Sequence, residues 1–334
     1  MRDRKPRVLV VTGAYPSVER PHWGTFIQSQ VESLRAAGLE VEVVRPEPGF
    51  TPLRYMKAAL AVWRRTLTHQ VDIVHGHYGL WCLVARLQWT TPVVASFLGD
   101  DVLGTRDRNG KLTRKSLLVR QISRQLARFV DAVIVKSEEM CRALPVDAHV
   151  IPNGVNFDLF QPASRAACRA VLGWSPERAY ILFGNDPAIP VKDYPLAQAA
   201  VANLRRHGMD VELVVATGLP QEELVLYLNA ANVLILSSMA EGSPNIVKEA
   251  MACNVPVVAT NVGDVEQVIG RTAGCAVCAR DAEALTDGLE RALAHEGPTT
   301  GRADIEHLDR RTVVQQVLEV YDVAGRQVRA LETI

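Results

Sequence analysis

The sequence predicts an α/β protein of two domains, in each of which buried strands alternate with helices. The chain has 334 residues, which is enough for two domains of the usual ~100–200 residues. Apolar runs of strand length recur along it, such as Val8 to Val11 and Val233 to Leu236, and segments with helical periodicity lie between them. With 48% hydrophobic and 22% charged residues, the chain can bury a large core.

The first predicted unit is a strand, a helix and a second strand. Arg7 to Thr12 reads as a buried strand, and a loop containing Gly13 and Gly24 follows it. We expect a helix from about Thr25 to Ala37, ended by a glycine, and then a strand from Val41 to Val44. Either loop glycine could serve only the turn, because glycine adopts backbone conformations that other residues avoid.

Two further predicted strands of the first half end in polar residues. Residues 71–74 lead into His75 and His77, which could bind a metal or could be hydrogen-bonded structural residues. With no third ligand group nearby, we expect no metal there. Residues 92–97 lead to Asp100 and Asp101, which we interpret as a helix N-cap with a neighbouring acid rather than as metal ligands.

The remaining elements continue the alternation of strands and helices. The pattern predicts a basic amphipathic helix over residues 111–129, with strands at 133–136 and 150–151 after it. A turn cluster at residues 152–156 separates the two halves. The second half has predicted strands at 181–184, 211–216, 231–236 and 255–260, and a final amphipathic helix over about 305–323.

The stretch from Ser237 to Gly263 is the most informative in the chain. Its pattern predicts a strand end, a loop, a helix and another strand, with Ser243 as N-cap and Pro244 at the first helical position. In open α/β sheets, a loop and helix N-terminus that follow a parallel strand commonly bind anions or sugars. The free N–H groups near Ser243, Asn245 and Ile246 would suit a diphosphate.

Two acids bracket this predicted helix start. Glu241 lies before the helix, and Glu249 lies about one and a half turns into it by the ~3.6-residue period. Both could contact one ligand in a cleft. In isolation they could also be a solvated loop acid and a surface acid paired with a neighbour, which is the ordinary case for exposed acids.

The surrounding residues resemble glycosyltransferase family 4, the retaining, sugar-nucleotide-dependent enzymes of the GT-B fold. The similarity lies in Glu241-Gly242, Lys248-Glu249-Ala250-Met251-Ala252, and residues 255–263, with a further match at Ile151 to Val155. The resemblance implies that Glu241 contacts hydroxyls of the donor sugar and that Glu249 contacts the nucleotide ribose.

The same resemblance implies roles for residues outside that stretch. Lys192 would bind the donor diphosphate, and Gly24 or Gly13 would let backbone approach the donor phosphates. His77 is a candidate catalytic residue, and His75 and Asp101 are candidates on the acceptor side. The sequence also departs from the family pattern. Leu98 stands where many relatives have a histidine, and Asn185 and Ile189 occupy the plausible positions of a missing arginine.

The resemblance further implies two Rossmann-like, doubly wound domains that face each other across a cleft. Residues 1–160 would bind the acceptor, residues 161–305 the nucleotide sugar, and residues 306–334 would form a helix that crosses back to the first domain. The expected reaction is retaining transfer from a nucleoside-diphosphate sugar, UDP-linked, to a hydroxyl acceptor in polysaccharide, glycolipid or other glycoconjugate synthesis. No cofactor or metal is expected. The alternatives are a sugar-nucleotide epimerase and a weakly active or degenerate sugar-nucleotide-binding relative.

Charge is divided unevenly along the chain. Residues 1–155 hold 22 Lys and Arg against 14 Asp and Glu, whereas the whole chain holds 37 of each. The predicted acceptor half is therefore positive, which suggests an anionic or lipid-linked acceptor. We expect no nucleic-acid partner. Basic and large apolar residues alternate over residues 53–65, which suggests a helix: Arg54, Lys57, Arg64 and Arg65 lie beside Leu53, Tyr55, Met56 and Trp63. This helix could contact a membrane, or its charged side chains could simply be solvated.

Targeting and redox features of the sequence are weak. The apolar run at Val8 to Val11 is too short for a signal peptide, and no apolar span approaches the ~20 residues of a membrane helix. We therefore expect a cytoplasmic protein, with possible peripheral contact at the inner face of the cell membrane. The pair Cys275 and Cys278 stands alone, so we interpret both cysteines as small buried residues.

Overall fold

The computed structural model describes residues 5–45, 52–68, 71–107 and 110–331. Residues 1–4 of the predicted first domain and residues 332–334 of the predicted last helix lie outside the described residues. Within it the chain forms two parallel β-sheets with helices on their faces, so the predicted α/β class is confirmed.

The first sheet has six parallel strands in the order β2-β1-β3-β4-β5-β6. Its strands are β1 Arg7–Val11, β2 Glu40–Val44, β3 Ile73–His77, β4 Val93–Ser96, β5 Ala132–Val135 and β6 His149–Val150. The helices between them are α1 Thr25–Ala36, α2 Pro52–Thr68, α3 Gly79–Arg86, α4 Asp100–Leu103, α5 Arg114–Leu126 and α6 Glu138–Ala143. Strand order reverses between β1 and β3, which is where open parallel sheets form ligand crevices.

The second sheet has five parallel strands in the order β11-β10-β9-β7-β8. The strands are β7 Ala179–Phe183, β8 Val211–Val215, β9 Val233–Leu236, β10 Val257–Thr260 and β11 Ala276–Cys278. The helices are α7 Arg165–Leu172, α8 Tyr194–Arg206, α9 Gln221–Ala230, α10 Asn245–Ala252, α11 Val265–Ile269, α12 Ala282–Ala294 and α13 Gly301–Asp304. Here the order reverses between β7 and β9, so the predicted central stretch follows a strand at the switch point.

The last helix, α14 Arg310–Leu331, returns to the first domain. Its apolar residues Val313, Val317 and Tyr321 share a core cluster with Val8 and Ile134 of the first sheet. The crossing implied by the family resemblance is therefore confirmed. The helix starts later than the pattern predicts, because a short 3-10 turn at Glu306–Leu308 precedes it.

The chain passes from the first domain into the core of the second before the predicted boundary at residue 160. Phe157 and Phe160 are buried in the core of the second domain, together with Leu234 and Ile305. A backbone bridge joins Val155 to Asp309, so the chain crosses between the domains twice at one place.

The basic helix α5 is shorter than predicted at both ends. The Thr113 side chain accepts a hydrogen bond from the N–H of Ser116 and so caps the helix start. A side chain that satisfies one of the free N–H groups fixes where a helix begins, and this device is not visible in the apolar periodicity.

The cysteines of the described structure are unbridged thiols. Cys278 is buried in the core, as expected for a small buried residue. Cys275 is half-buried, and its sulfur accepts a hydrogen bond from the N–H of Val257. In the described part of the chain, no group of three or more His, Cys, Asp or Glu could hold a metal ion. None of the described helices is long and apolar enough to cross a bilayer.

Candidate active site in the interdomain cleft

A cavity of about 490 Å³ lies between the two domains, beside the switch points of both sheets. Its walls include the loop before α1, Leu98 and Asn153 in the first domain, and the loops after β7, β8 and β9 with parts of α9 and α10 in the second. Eight of the residues that the sequence singled out line it: Gly24, Lys192, Glu241, Ser243, Pro244, Asn245, Ile246 and Glu249.

Glu241 is held at the cleft by two hydrogen bonds to its carboxylate. Nζ of Lys192 lies 2.7 Å from Oε1, and the Ser238 hydroxyl donates to the same oxygen at 2.7 Å. Lys192 ends a 3-10 turn, Pro190–Lys192, and Ser238 follows β9, so two switch-point loops meet at this acid. The arrangement places one cation and one anion side by side in the wall of the cavity.

Ser243 and Pro244 are placed differently from the prediction. Helix α10 begins at Asn245, and Pro244, with φ −70° and ψ 113°, is its N-cap. The Ser243 hydroxyl is engaged elsewhere, since it donates to Asp264 and accepts from Nζ of Lys248. Because proline offers no side-chain acceptor, the first N–H groups of α10 have no side-chain cap. They remain suited to an anion at the cleft.

A buried cation ties the site to the first domain. Nζ of Lys248 donates to the Asn153 carbonyl at 3.0 Å and to Ser243 at 2.7 Å, and its side chain has no exposure to solvent. Burial lowers the pKa of Lys248 and raises the pKa of Asp264. The Asn153 amide also donates to Asn245 at 3.2 Å. The turn cluster of the first domain is thus fastened to the start of α10.

Glu249 is the second acid of the cavity wall. It is half-buried, and this desolvation raises the pKa of Glu249 to about 7, although the nearby Lys248 charge and a hydrogen bond with Gln221 lower it. Gln221, the first residue of α9, lines the same cavity. The alternative of a surface acid paired with an exposed neighbour does not describe this residue.

The two loop glycines have different surroundings. Gly24 has φ +76° and lines the cavity, and a Cβ there would lie 2.5 Å from the Ala14 backbone, so only glycine fits. Gly13 packs against the indole of Trp81, where a Cβ would come within 2.1 Å. Of the two glycines, only Gly24 lines the cavity and can approach a ligand there. The turn also requires glycine at this position, which is compatible with ligand contact.

His75 and His77 are buried side chains that do not line the cavity. Nδ1 of His75 lies 2.7 Å from the Tyr321 hydroxyl and Nε2 lies 2.7 Å from the Ser96 hydroxyl, and burial lowers the pKa of His75 to about 3. The ring of His77 lies 4.2 Å from that of His75, and burial, followed by the nearby His75 and Lys136, lowers its pKa. The structure therefore does not bring the candidate catalytic residue His77 or the acceptor-side candidate His75 to the wall of this cavity.

Asp101 binds backbone rather than capping a helix. Gly99 is the N-cap of α4, and the Asp101 carboxylate accepts hydrogen bonds from the N–H groups of Gly79, Leu98 and Gly99 at 2.9 to 3.0 Å. It therefore fastens the loop after β4 to the start of α3. The N-cap interpretation of the acid pair was wrong, because these three donors lie outside α4. Burial, followed by the neighbouring Asp100, raises the pKa of Asp101 to about 7.

One cleft residue that was not identified from the sequence is His22, which lines the cavity from the first domain. Leu98, Asn185 and Ile189, the positions at which the sequence departs from the family pattern, line the cavity as well. The only available signal for His22 was its place next to Trp23-Gly24 in the loop after β1. Gln221 carried no signal, and Lys248 was visible only as part of the family motif. The contacts of both side chains could not be predicted, because their partners come from distant parts of the chain.

Two parallel-sheet domains, the polar cleft between them and the helix that returns to the first domain are the architecture of the GT-B fold. The chain belongs to glycosyltransferase family 4. The family model described as Glycosyltransferase Family 4 matches residues 1–159, and the model described as Glycosyl transferases group 1 matches residues 180–295. The enzyme is of the hexosyltransferase type.

Curated relatives are similar over most of the chain. The glycosyltransferase TuaC of Bacillus subtilis (strain 168), assigned to teichuronic acid biosynthesis, is 25% identical over 85% of this chain and 88% of its own. The D-inositol 3-phosphate glycosyltransferase of Mycolicibacterium smegmatis is 26% identical over 77% of this chain and 68% of its own.

Solved structures share the fold. Sucrose-phosphate synthase from Thermosynechococcus elongatus superposes with a TM-score of 0.75 at 21% identity, covering 98% of this chain and 100% of its own. The Anabaena protein HepE, in a complex with UDP, gives a TM-score of 0.65 at 16% identity over 95% of this chain and 99% of its own.

Proposed function

We propose that the protein uses this cleft to transfer a sugar from a nucleoside-diphosphate sugar, a UDP-sugar, to a hydroxyl acceptor. The reaction retains the configuration at the anomeric carbon. The observation that carries this proposal is that Lys192, Glu241, Glu249 and the uncapped start of α10 line one cavity. A cation and a helix N-terminus suit a diphosphate, and carboxylates suit sugar and ribose hydroxyls.

The roles of the two acids follow from their positions in the cavity. Glu249, about one and a half turns into α10, would accept hydrogen bonds from ribose hydroxyls, and Glu241, beside Lys192, would contact the donor sugar. When a donor diphosphate binds, Nζ of Lys192 would exchange the Glu241 carboxylate for diphosphate oxygens. That exchange would free Glu241 to accept hydrogen bonds from sugar hydroxyls.

The carboxylates in the cleft favour a single displacement on one face of the sugar. Among the described cavity residues, the carboxylates are Asp186, Glu241 and Glu249, all from the second domain. None comes from the acceptor side to form a covalent glycosyl intermediate. In the proposed step the bond from the anomeric carbon to the diphosphate oxygen breaks as the acceptor oxygen bonds to that carbon. The acceptor proton passes to the leaving diphosphate, whose charge Lys192 and the α10 N-terminus stabilise.

Further observations support particular classes of donor and acceptor. A UDP-linked donor is supported by the fold shared with HepE, whose structure contains UDP. An anionic acceptor in glycoconjugate synthesis is supported by the positive charge of residues 1–155 and by the names of TuaC and of the inositol-phosphate enzyme. No metal or other cofactor is proposed.

The test is a panel of UDP-, GDP- and ADP-sugars incubated with the full chain, with and without acceptor mixtures. Donor binding is measured by thermal shift, and the product configuration by NMR. We expect UDP-sugars to stabilise the fold most and the product to keep the donor's anomeric configuration. Sugar isomers formed from donor alone would instead indicate an epimerase. An inverted product would refute the single displacement on one face.

A further inference from the structure

Helix α2 carries an apolar stripe that faces solvent. Five large side chains form it, each between about half and two thirds exposed, with Met56 at 67% and Trp63 at 51%: Leu53, Met56, Leu60, Trp63 and Leu67. At ~100° per residue, they fall within an arc of about 80° of the helix. Ala58, Val62 and Thr66 form the buried side. Exposed apolar patches of this kind mark interaction sites.

Basic side chains border the stripe along one edge. Lys57 and Arg64 are exposed within about 40° of it, and neither has an acidic partner among the described residues. Of the four basic residues that the sequence indicated for this helix, the other two have partners in the structure. Arg65 is paired with Glu42, and the guanidinium of Arg54 lies over the Trp81 ring at 5.8 Å. We call Leu53, Met56, Lys57, Leu60, Trp63, Arg64 and Leu67 the α2 face.

A second exposed aromatic group lies nearby on the same domain. Helix α3 packs against both α2 and α5, and the segment after it exposes Trp89 at 71%. The Arg86 guanidinium lies 3.7 Å from the centre of the Trp89 ring and donates to the Phe129 carbonyl. Phe129, after the end of α5, is exposed as well. Exposed apolar rings beside an arginine therefore occur in a second segment of the first domain.

A chain of contacts connects the buried side of helix α2 to the cleft. Tyr55 of α2 stacks on Trp81 with ring centres 4.7 Å apart, and Trp81 packs against Gly13. The indole N–H of Trp23 donates to the Gly13 carbonyl at 3.4 Å, and Trp23 and Gly24 line the cavity. The buried side of α2 is therefore linked by packing to the loop that forms the first-domain wall of the cleft.

We propose that the α2 face is a docking surface for an anionic lipid bilayer. Tryptophan and long apolar side chains beside lysine and arginine are the composition of helices that lie in a membrane interface. The excess of basic residues in residues 1–155 complements an anionic surface. A second copy of the chain fits less well, because a symmetric pair of α2 faces would bring Lys57 and Arg64 close to their own copies.

The experiment is co-sedimentation of the full chain with phosphatidylcholine vesicles that contain graded fractions of phosphatidylglycerol, at low and high salt. We expect recovery to rise with the anionic fraction and to fall with salt. The double change Lys57→Glu and Arg64→Glu should weaken binding about tenfold or more. The double change Leu60→Ser and Trp63→Ser should weaken it at low salt as well, because the apolar contribution is lost.

Matched variants in the second domain control for charge and exposed apolar area. Arg206→Glu with Arg271→Glu changes the net charge equally, and Val171→Ser removes a side chain that is 74% exposed. Both should bind vesicles as the unchanged protein does. Equal recovery on neutral and anionic vesicles, or equal loss in the control variants, would overturn the proposal. A dimer that Trp63→Ser dissociates, without any vesicle binding, would assign the face to a second copy instead.

The assay is independent of the sugar-transfer proposal, because vesicle binding is measured without a donor. Turnover of the Lys57→Glu, Arg64→Glu variant without vesicles should equal that of the unchanged chain, and its melting temperature should not move. Failure of vesicle binding with intact turnover would refute the docking surface alone. Vesicle binding with no turnover on any donor would refute the proposed reaction alone.

Discussion

Nζ of Lys192 lies 2.7 Å from Oε1 of Glu241, and both side chains are largely buried at the wall of the cleft. The cation that the proposal assigns to the diphosphate and the acid that it assigns to the sugar therefore neutralise each other. A dianionic diphosphate competes well for such a lysine, because charge-assisted hydrogen bonds are the strong ones. Donor binding and the release of Glu241 would then be one event.

Replacing Lys192 by alanine should lower turnover by about one to two decades. A lost hydrogen bond to a charged group costs about 1.5–3 kcal/mol, and here the cost would be paid as charge develops on the diphosphate. The measurement is kcat and KM with the preferred sugar nucleotide. Arg280→Ala is the matched control, since Arg280 forms an ion pair with Asp193 at 2.7 Å next to the same turn. Equal kinetics in the two variants would contradict the assigned role.

The substitutions Glu249→Gln and Glu241→Gln should affect donor binding and turnover separately. Glu249→Gln should mainly raise KM, by about ten- to a hundredfold, because a ribose contact is made in the ground state and the transition state alike. Glu241→Gln should mainly lower kcat, because its contact lies near the reacting carbon. Steady-state kinetics and donor titration by calorimetry measure both quantities. Unchanged kinetics in both variants would show that the ligand binds elsewhere.

Donor affinity should depend on pH near neutrality. Burial raises the pKa of Glu249 to about 7, and only the ionised carboxylate accepts hydrogen bonds from two hydroxyls at once. Affinity should therefore increase as pH rises through about 7, and this increase should be absent in Glu249→Gln. Calorimetric titration across that range tests the prediction. A pH profile that the substitution leaves unchanged would assign the titration to another group.

The same group should affect stability in the opposite direction. Its pKa in the folded protein lies above the ordinary value of 4.5, so the folded state binds more protons than the unfolded state between about pH 4.5 and pH 7. Glu249 therefore makes the free energy of unfolding fall as pH rises through that window. Urea denaturation should show a smaller fall for Glu249→Gln than for the unchanged protein. An identical pH dependence in both proteins would contradict the raised pKa.

Alanine at Gly242 should disturb the contact between the domains. A Cβ there would lie 2.6 Å from the Leu98 carbonyl oxygen and 3.1 Å from Gly99 Cα, both backbone atoms of the first domain. We expect a loss of about 1–3 kcal/mol in the free energy of unfolding, as for other overpacked sites, together with weaker donor binding. Gly325→Ala is the control, since a Cβ in that helix meets nothing within 4 Å. Equal stability of the two variants would refute this prediction.

Activity should persist in the presence of a chelator. The basis is the positive charge that Lys192 and the α10 N-terminus place at the cleft, which can balance the leaving diphosphate. Turnover is measured with and without EDTA after dialysis. Abolition by EDTA with recovery on adding magnesium or manganese would overturn the prediction.

The local order of the chain was readable from the sequence because it depends on neighbours along the chain. Apolar runs such as Val233 to Leu236 became buried strands, and the segment around Lys248 and Glu249 became a helix. The motif also indicated which loop follows a switch-point strand. These features follow from side-chain period and from turn residues, both of which act over a few positions.

Only the tertiary structure decided which polar side chains reach the cleft. Asn153 and Lys248 meet across 95 positions, and this contact, with Asp264, withdraws Ser243 from capping α10. His75 could have reached the cleft wall, but its hydrogen bonds to Ser96 and Tyr321 hold it inside the core. Buried polar atoms take whichever partners the packed domains bring to them. A sequence pattern specifies the donors and acceptors, whereas long-range packing selects the pairs.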